Sequence, residues 1–261
     1  MQERTSECAS GDTYSEHYAD IYELLSKVPL MTDPEEVEFF ANLVLKERKA
    51  RILDLGCAEG RLAVRLAKDG HRVVASDISS GYLTQTAQLA KANNLDVEVV
   101  QCDIEKDVSV FGGRGFDYVF FMDVIEHVRS PIGTLENIRR LMAEDGVLFI
   151  NTPNASSLWN LMCSLFNRRR IYHQLDPANM GALHLQAYDY MALQNLCNFA
   201  GLRIIRHIPT AIEIPKLPRS RLLARLMPAF QASLLVECKK CERHNVAETI
   251  EIWADSICPN R

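Results

Sequence analysis

Short apolar runs alternate with amphipathic stretches through the middle of the chain. The apolar runs end at glycine or at a polar residue, as buried strands do, whereas the stretches between them carry apolar residues three and four positions apart, as one face of a helix does. Parallel strands need a crossover between them, so the alternation predicts an α/β fold with a doubly wound sheet. The predicted strands are Arg51 to Gly56, Arg72 to Ser76, Val97 to Gln101, Tyr118 to Met122 and Gly146 to Asn151, and the helices between them are Leu62 to Asp69, Ser80 to Asn93 and Pro131 to Met142.

The pattern is less regular on both sides of this core. Before it, a helix is predicted from Pro34 to Glu47, because Asp33 can cap its first turn. Still earlier, Tyr14, Tyr18 and Tyr22 lie four residues apart, the spacing that places three rings on one helical face. After the core, the pattern predicts helices from Ser156 to Phe166 and from Asp189 to Ala200, strands from Leu202 to His207 and from Ser233 to Glu237, and a basic amphipathic segment from Arg219 to Leu226.

These elements divide the chain into three parts. Residues 1–48 are expected to form a helical N-terminal segment, residues 49–241 the main α/β domain, and residues 242–261 a peripheral tail. Within the main domain, residues 155–188 and 209–230 are expected to be insertions after the fifth and sixth strands.

Composition narrows the class of protein. With 48% hydrophobic and 24% charged residues, the chain is typical of soluble globular proteins. No apolar run approaches the roughly 18 residues that span a bilayer, and the polar start lacks the apolar segment of a secretion signal, so a cytoplasmic protein is expected. A net charge of −5 gives no general attraction to nucleic acid or anionic lipid.

The eight cysteines lie mostly inside apolar runs, which favours buried, reduced thiols over a disulfide framework. Cys238 and Cys241 form a CxxC pair. A structural zinc site normally takes four ligands, and no second pair lies at zinc-finger spacing. We therefore interpret the pair as a strand end followed by a turn.

Polar residues follow the first three predicted strands, where open α/β sheets bind their ligands. After the first strand, Asp54 begins a loop in which Gly56 and Gly60 allow the backbone to approach a ligand. Asp77 follows the second strand and can accept hydrogen bonds from both hydroxyls of a ribose. Asp103 follows the third strand and can bind the amino group of an adenine.

The same loop position serves nicotinamide cofactors, so the loop alone is not specific. A dinucleotide-binding loop needs GxGxxG to admit a pyrophosphate, and here Ala58 replaces the middle glycine. The acids Asp54 and Asp103 would repel phosphate, whereas they suit a ligand that carries positive charge. The sequence therefore predicts a cationic cofactor without phosphate.

Four segments together resemble the successive motifs of class I S-adenosylmethionine-dependent methyltransferases. They are Leu53-Asp-Leu-Gly-Cys-Ala-Glu-Gly60, Ala75-Ser-Asp77-Ile-Ser, Gln101-Cys-Asp103-Ile and Phe116-Asp-Tyr-Val-Phe-Phe-Met-Asp-Val-Ile-Glu-His-Val128. The resemblance implies a Rossmann-like, seven-stranded sheet that is mostly parallel, with an antiparallel last strand from Ser233 to Glu237. Ala58 departs from the more usual glycine. The implied cofactor-binding residues are Asp54, Gly56, Cys57, Ala58, Gly60, Asp77, Ile78, Asp103, Ile104, Met122 and Asp123.

Asp123, Glu126 and His127 follow the fourth strand at a spacing that gathers side chains on one helical face. The segment resembles the ubiquinone-pathway O-methyltransferases and the small-RNA 2′-O-methyltransferases, in which such an arrangement can hold a divalent metal. His184 lies in the region that supplies a further histidine in the RNA enzymes. The resemblance thus implies a possible site for magnesium, manganese or zinc that would lower the pKa of an acceptor hydroxyl.

Two interpretations without metal stay open. His127 or His184, with Glu126 beside them, can act as a general base. Alternatively, a reactive sulfonium donor can be served mainly by alignment of the two substrates.

The acceptor is the least determined part of the prediction. The family resemblance places acceptor specificity in the tyrosine-rich N-terminal segment and in the insertion after the fifth strand. Within that insertion, Arg168 to Arg170, Tyr172 and His173 are interpreted as an ordinary solvated helix end, or else as a surface for an acidic, phosphorylated or glycan-linked acceptor or an RNA end. We expect O-methylation of a small metabolite, lipid precursor or saccharide. The alternatives are a metal-assisted RNA 2′-O-methyltransferase, N- or C-methylation, and a catalytically inactive methyltransferase-like subunit that only binds; oligomeric state is left open.

Overall fold

The structure, a computed structural model, describes residues 20–27, 33–45, 48–166, 184–212 and 219–242. It contains two compact units, Met1–Val110 and Phe111–Arg261. The strands are β1 (Arg51–Leu55), β2 (Arg72–Asp77), β3 (Val97–Gln101), β4 (Phe116–Met122), β5 (Met142–Pro153), β6 (Leu202–Ile208) and β7 (Ser233–Lys240). The helices are α1 (20–25), α2 (Pro34–Ala41), α3 (Arg61–Lys68), α4 (Ser80–Ala92), α5 (Pro131–Leu141), α6 (Leu158–Phe166), α7 (Tyr190–Phe199) and α8 (Arg221–Leu226).

The strands form a seven-stranded sheet in the order β3-β2-β1-β4-β5-β7-β6. β1, β2 and β3 pair in parallel, as do β4 and β5, whereas β7 runs antiparallel to both of its neighbours. The predicted doubly wound sheet with an antiparallel last strand is therefore confirmed. Among the described helices, none is long and apolar enough to cross a membrane.

In the first unit, local sequence signals set the element boundaries. Asp33 caps α2 by accepting a hydrogen bond from the backbone of Glu35, and Ser79 caps α4 by accepting one from Tyr82. The helix predicted to run to Glu47 ends at Ala41 instead, because the chain turns there.

In the second unit, β5 begins at Met142 and not at Gly146 as predicted. The first residue of β5 pairs with Phe116, and the register then shifts before Tyr118 pairs with Val147. A Cβ on Gly146 would lie 2.7 Å from the carbonyl oxygen of Phe116, so only glycine allows this close approach. Strand pairing thus extends β5 into residues whose sequence indicates a turn.

The two cysteines of the CxxC pair lie in and just after the last strand of the sheet. Cys238 is a buried residue within β7, which continues to Lys240, and Cys241 follows the strand. Both are free thiols, as are the other described cysteines. The predicted strand therefore continues three residues further than Glu237, and the first cysteine lies inside it.

The proposed boundaries of the tail and insertions stay predictions. The tail beyond residue 242 lies outside the described residues, as do residues 167–183 and 213–218 within the two insertions.

Candidate functional site

A sharp backbone turn follows β1. Gly56, Ala58 and Gly60 all adopt left-handed conformations, with φ of 72°, 47° and 73°, which glycine adopts most readily. The turn is tied to β2, because the backbone amide of Gly56 donates to the carbonyl oxygen of Ser76 over 2.8 Å. A Cβ on Gly60 would lie 2.7 Å from Cβ of Thr86 in α4, so glycine is needed there for space as well as for conformation.

Cys57 turns its side chain away from solvent within this loop. Its Sγ lies 3.7 Å from Oγ1 of Thr86, and burial raises the pKa of the thiol well above its ordinary value. The thiol is therefore protonated and packed, and a ligand is expected to meet only the backbone of this residue.

Asp77, the last residue of β2, holds the loop from the other side. One carboxyl oxygen accepts a hydrogen bond from the amide of Ala58 over 3.0 Å, and the other accepts from the amide of Ser79 over 2.9 Å. The residue is buried, and desolvation raises the pKa of its carboxyl group despite these bonds. Asp77 thus joins the turn after β1 to the turn before α4.

Asp54 lies inside β1 and is only 3% exposed. The backbone of Ala63 donates a hydrogen bond to its carboxyl group, but within the part of the chain that the structure describes Oδ2 has no partner. Burial, and then the charge of Asp77, raise the pKa of Asp54 to about 7. Two buried carboxyl groups, each with a raised pKa, favour the binding of a cation.

The remaining predicted residues of this unit are less buried. Asp103 is half-buried after β3, and its carboxyl group accepts a hydrogen bond from the amide of Glu105 and lies 4.0 Å from Nζ of Lys106. Ile78 and Ile104 are also half-buried, and the carbonyl oxygen of Ile78 accepts a hydrogen bond from Gln101.

Asp123 follows β4 in a strained conformation. Its φ of 53° is uncommon for a residue with a side chain. Nδ2 of Asn151 donates to both carboxyl oxygens, over 2.9 and 3.1 Å, and the amide of Asp123 donates to the carbonyl oxygen of Asn151. Asp123 is exposed and Met122 half-buried, yet protein atoms around the carboxyl group of Asp123 raise its pKa.

Sequence reasoning missed Asn151. Asn151 is buried near the carboxyl end of β5, the kind of position where ligands bind in such sheets. That position was the available signal, but its pairing with Asp123 joins residues far apart in the chain and has no local signature.

The second cluster brings together Glu126, His127 and His184, whose ligand atoms all lie within 4.8 Å of one another. The two imidazole rings meet edge to face with their centroids 4.7 Å apart. Backbone hydrogen bonds hold the chain next to His184 against Glu126. The amides of Leu185 and Gln186 both donate to the carbonyl oxygen of Glu126, over 2.8 and 3.2 Å. The predicted association of these three side chains across nearly 60 residues is therefore present.

Glu126 is the buried member of this cluster. Oε2 accepts a hydrogen bond from the hydroxyl of Thr152 over 3.0 Å, whereas no described residue bonds to the buried Oε1. Burial, followed by the charge of Asp123, raises the pKa of Glu126 well above its ordinary value. Asp123 itself is not among the clustered ligand atoms, because its carboxyl group is bonded to Asn151.

Several residues expected to contact an acceptor lie outside the described residues. These are Tyr14, Tyr18, Arg168 to Arg170, Tyr172 and His173. Tyr22 lies in α1 and is half-buried.

Comparison with known proteins identifies the family of this chain. A family model described as "Methyltransferase domain" matches residues 30–207. The ubiquinone biosynthesis O-methyltransferase of Glaesserella parasuis serovar 5 is 32% identical over 110 residues, which cover 41% of this chain and 47% of that protein. Its counterpart in Histophilus somni is 27% identical over 184 residues, which cover 62% and 77%.

A solved structure is similar over nearly the whole chain. The Burkholderia thailandensis 1,6-didemethyltoxoflavin-N1-methyltransferase, with bound 1,6-didemethyltoxoflavin and S-adenosylhomocysteine, has a TM-score of 0.64 at 18% identity and covers 92% of this chain and 94% of that one. At this identity the likeness shows the fold alone. The chain spans about half the length of several curated relatives that it matches. The family match covers more than half of the chain, and the protein therefore belongs to the class I S-adenosylmethionine-dependent methyltransferases.

Proposed function

We propose that the protein transfers a methyl group from S-adenosylmethionine to a hydroxyl group of a small metabolite, lipid precursor or saccharide. The observation that carries the proposal is the buried Oδ2 of Asp54, which no described residue bonds, next to the carboxyl group of Asp77 and the glycine-containing turn. A buried carboxylate without a partner is costly, and a cationic ligand would satisfy it.

The chemistry of these residues fits that cofactor. Asp54 would bind the ammonium group of its methionine part, and Asp77 would bind the ribose. The amides of Ala58 and Ser79 donate to different oxygens of Asp77, and the backbone of Ile78 donates as well, so the ribose would bind the acceptor positions that remain. A pyrophosphate would be repelled by the same two acids.

S-adenosylmethionine, when bound, supplies an electrophilic methyl group on a positively charged sulfur. The chain must then align the acceptor hydroxyl and remove its proton. An imidazole nitrogen of His127 or His184 can take that proton, and the carboxyl group of Glu126 can stabilise the resulting imidazolium. The ubiquinone biosynthesis O-methyltransferases that match this chain support transfer to oxygen.

A second candidate is metal-assisted transfer, including transfer to an RNA 2′-hydroxyl. The observation that favours it is the cluster of Glu126, His127 and His184, whose ligand atoms lie within 4.8 Å of one another, together with the buried Oε1 of Glu126, to which no residue in the described part of the chain bonds. This donor set suits zinc or manganese. A bound divalent ion would supply a lowered pKa for the acceptor hydroxyl.

The function is tested first by calorimetry. The proposal expects the chain to bind S-adenosylhomocysteine and to release no heat with NAD. Incubation with cell-extract fractions and isotopically labelled S-adenosylmethionine should then label an acceptor, which mass spectrometry can identify. Binding without labelling in any fraction would favour an inactive binding subunit, and binding of NAD alone would reject the proposal.

Asp77→Ala is expected to weaken S-adenosylhomocysteine binding at least about tenfold, since a buried carboxylate bonded to two hydroxyls should contribute more than about 1.4 kcal/mol. Calorimetric titration measures the dissociation constant. The matched control is Asp96→Ala, an exposed acid in the loop before β3. An unchanged dissociation constant for Asp77→Ala would remove this residue from the cofactor site.

Binding should also depend on pH through Asp54. Its carboxyl group has a pKa of about 7 without ligand, and a cationic ligand favours the ionised form. The affinity for S-adenosylhomocysteine should therefore fall about tenfold between pH 8 and pH 6, and binding at pH 7 should release about half a proton. Titrations in buffers of different ionisation enthalpy measure both quantities. Equal affinity at the two pH values would contradict this role of Asp54.

A further inference from the structure

Glu23, in α1, binds the beginning of α4. Its Oε2 accepts three hydrogen bonds, from the hydroxyls of Ser79 and Ser80 over 3.0 and 3.3 Å and from the amide of Gly81 over 3.0 Å. Glu23 and these three residues are more than 50 positions apart in the chain. A carboxylate placed on the first amides of a helix is favourable, because it meets unpaired donors and the positive end of the helix dipole.

The backbone of α4 approaches this part of the chain very closely. A Cβ on Gly81 would lie 2.8 Å from Oε1 of Glu23 and would overlap the hydroxyl of Ser26. The side-chain amide of Gln85 donates to the carbonyl oxygen of Ser26. Residues 23–26 are therefore seated on the first two turns of α4, and the absence of a side chain at residue 81 makes room for them.

Ser79 connects this contact to the cofactor acid. Its hydroxyl donates to Glu23 and accepts from the amide of Tyr82, while its own amide donates to Oδ1 of Asp77 over 2.9 Å. Ser79 is buried, and so is Asp77. A displacement of the Ser79 turn would therefore move a donor that orients the carboxyl group of Asp77.

Glu23 is ionised in this arrangement. The amide of Gly81, and next the hydroxyl of Ser79, lower the pKa of its carboxyl group below the ordinary value. The group is thus a full acceptor for all three donors at neutral pH.

We propose that Glu23 is a positioning residue for the cofactor, whose carboxylate fixes the Ser79 turn and, through it, Asp77. Docking of α1 and binding of the cofactor then stabilise each other. This inference rests on the function proposed above, because it assumes that Asp77 binds the cofactor.

The first test compares variants of the full chain by calorimetric titration with S-adenosylhomocysteine. Glu23→Ala removes the acceptor and should weaken binding about fivefold to tenfold. Glu23→Gln keeps one oxygen for the amide of Gly81 and should recover most of the affinity. Glu35→Ala, which removes an exposed acid at the start of α2, is the matched control and should bind like the unmodified chain.

A second variant disturbs the contact of residues 23–26 with α4 without removing any polar group. Gly81→Ala should strengthen α4 itself, since alanine favours a helix more than glycine does. Its methyl group would nevertheless displace Glu23 and Ser26, so the variant should bind S-adenosylhomocysteine several-fold more weakly, and an unchanged affinity would contradict the positioning role.

The coupling between docking of α1 and binding of the cofactor can be measured from both sides, and a purely structural role of Glu23 would not produce it. If docking of α1 strengthens cofactor binding, the cofactor must strengthen docking by the same factor. S-adenosylhomocysteine should therefore slow tryptic cleavage after the exposed Lys27 in the unmodified chain, and should slow it much less in Glu23→Ala.

The outcomes separate this inference from the function on which it rests. If the unmodified chain does not bind S-adenosylhomocysteine, the proposed function fails. If it binds and Glu23→Ala binds equally tightly, with the same protection of Lys27, the positioning role is overturned and the proposed function stands.

Discussion

Asp54→Asn is expected to make the unliganded protein more stable while it greatly weakens cofactor binding. Burial in the folded state raises the pKa of Asp54 from 3.8 to about 7, so this group lowers stability increasingly as the pH rises from about 4 to about 7. An amide avoids that penalty, although its own buried N–H groups offset part of the gain. We expect a net increase of about 1 to 3 kcal/mol in the free energy of unfolding at pH 8. Binding of S-adenosylhomocysteine should weaken by about a hundredfold or more, because the ammonium group loses its counter-charge.

The pH dependence of this stability difference between Asp54→Asn and the unmodified chain tests the assigned pKa shift. An acid whose pKa is raised by folding lowers stability progressively between its unfolded and its folded pKa, so the advantage of Asp54→Asn should grow as the pH rises from about 4 and reach its full size above pH 7. It should be small at pH 4 and vanish at lower pH, where the carboxyl group is protonated in both the folded and the unfolded chain. Denaturant titrations at pH 4, 6 and 8 measure it. Asp107→Asn is the control: hydrogen bonds from Ser109 lower the pKa of Asp107, so removing this charge should not stabilise the chain. A less stable Asp54→Asn at pH 8 would contradict the assigned burial.

Replacing His127 or His184 by alanine should have the largest effect on turnover. If one imidazole is the general base, its loss should lower the rate about 10² to 10⁴-fold, and loss of the other should matter much less. If both hold a metal, either variant should lose activity, and so should Glu126→Gln. In either case the affinity for S-adenosylhomocysteine should change little, since these residues are assigned to the acceptor reaction.

Chelation distinguishes the two mechanisms. Turnover of a labelled acceptor is measured before and after treatment with EDTA, and again after zinc, manganese or magnesium is restored. A metal mechanism expects loss and recovery, whereas a general-base mechanism expects indifference. His207→Asn, which changes a half-buried histidine of β6 outside the cluster, is the control. Full activity in both His127→Ala and His184→Ala would reject both mechanisms and leave alignment of substrates as the source of catalysis.

The sequence predicted those elements whose signals are local. Asp33, Ser79 and Asp189 cap helices where their residue types indicate, and the helices of the core start within one or two residues of the predicted positions. The start of β5 could not be predicted, because residues 143–146 indicate a turn and only pairing with β4 makes them part of a strand. The early end of α2 was missed for a similar reason. Val44 is apolar and buried, as a residue on the inner face of a longer helix would be, but it lies in the turn that follows α2.

In the candidate site, too, residues with a local sequence signal were predicted, and contacts between distant parts of the chain were not. Asp54, Asp77 and the two glycines could be found because each lies near the carboxyl end of a strand or in the short loop that follows it. The left-handed conformation of Asp123 and its bonds to Asn151 depend on two strands meeting, so neither residue alone carries a signal. The contact of Glu23 with the start of α4 is likewise invisible in the sequence, where Glu23 is one acid in a polar segment.

The position of β7 has a consequence for how the chain is made. β7 lies between β5 and β6, and in the described part of the sheet β6 pairs with no other strand. During translation β6 therefore leaves the ribosome before its neighbour exists, and the open edge of β5 stays uncovered until residues through Lys240 have emerged. Such an edge invites pairing with other chains. Premature termination just before Ser233 would consequently release an aggregation-prone polypeptide, even though every predicted ligand-binding residue has already been synthesised.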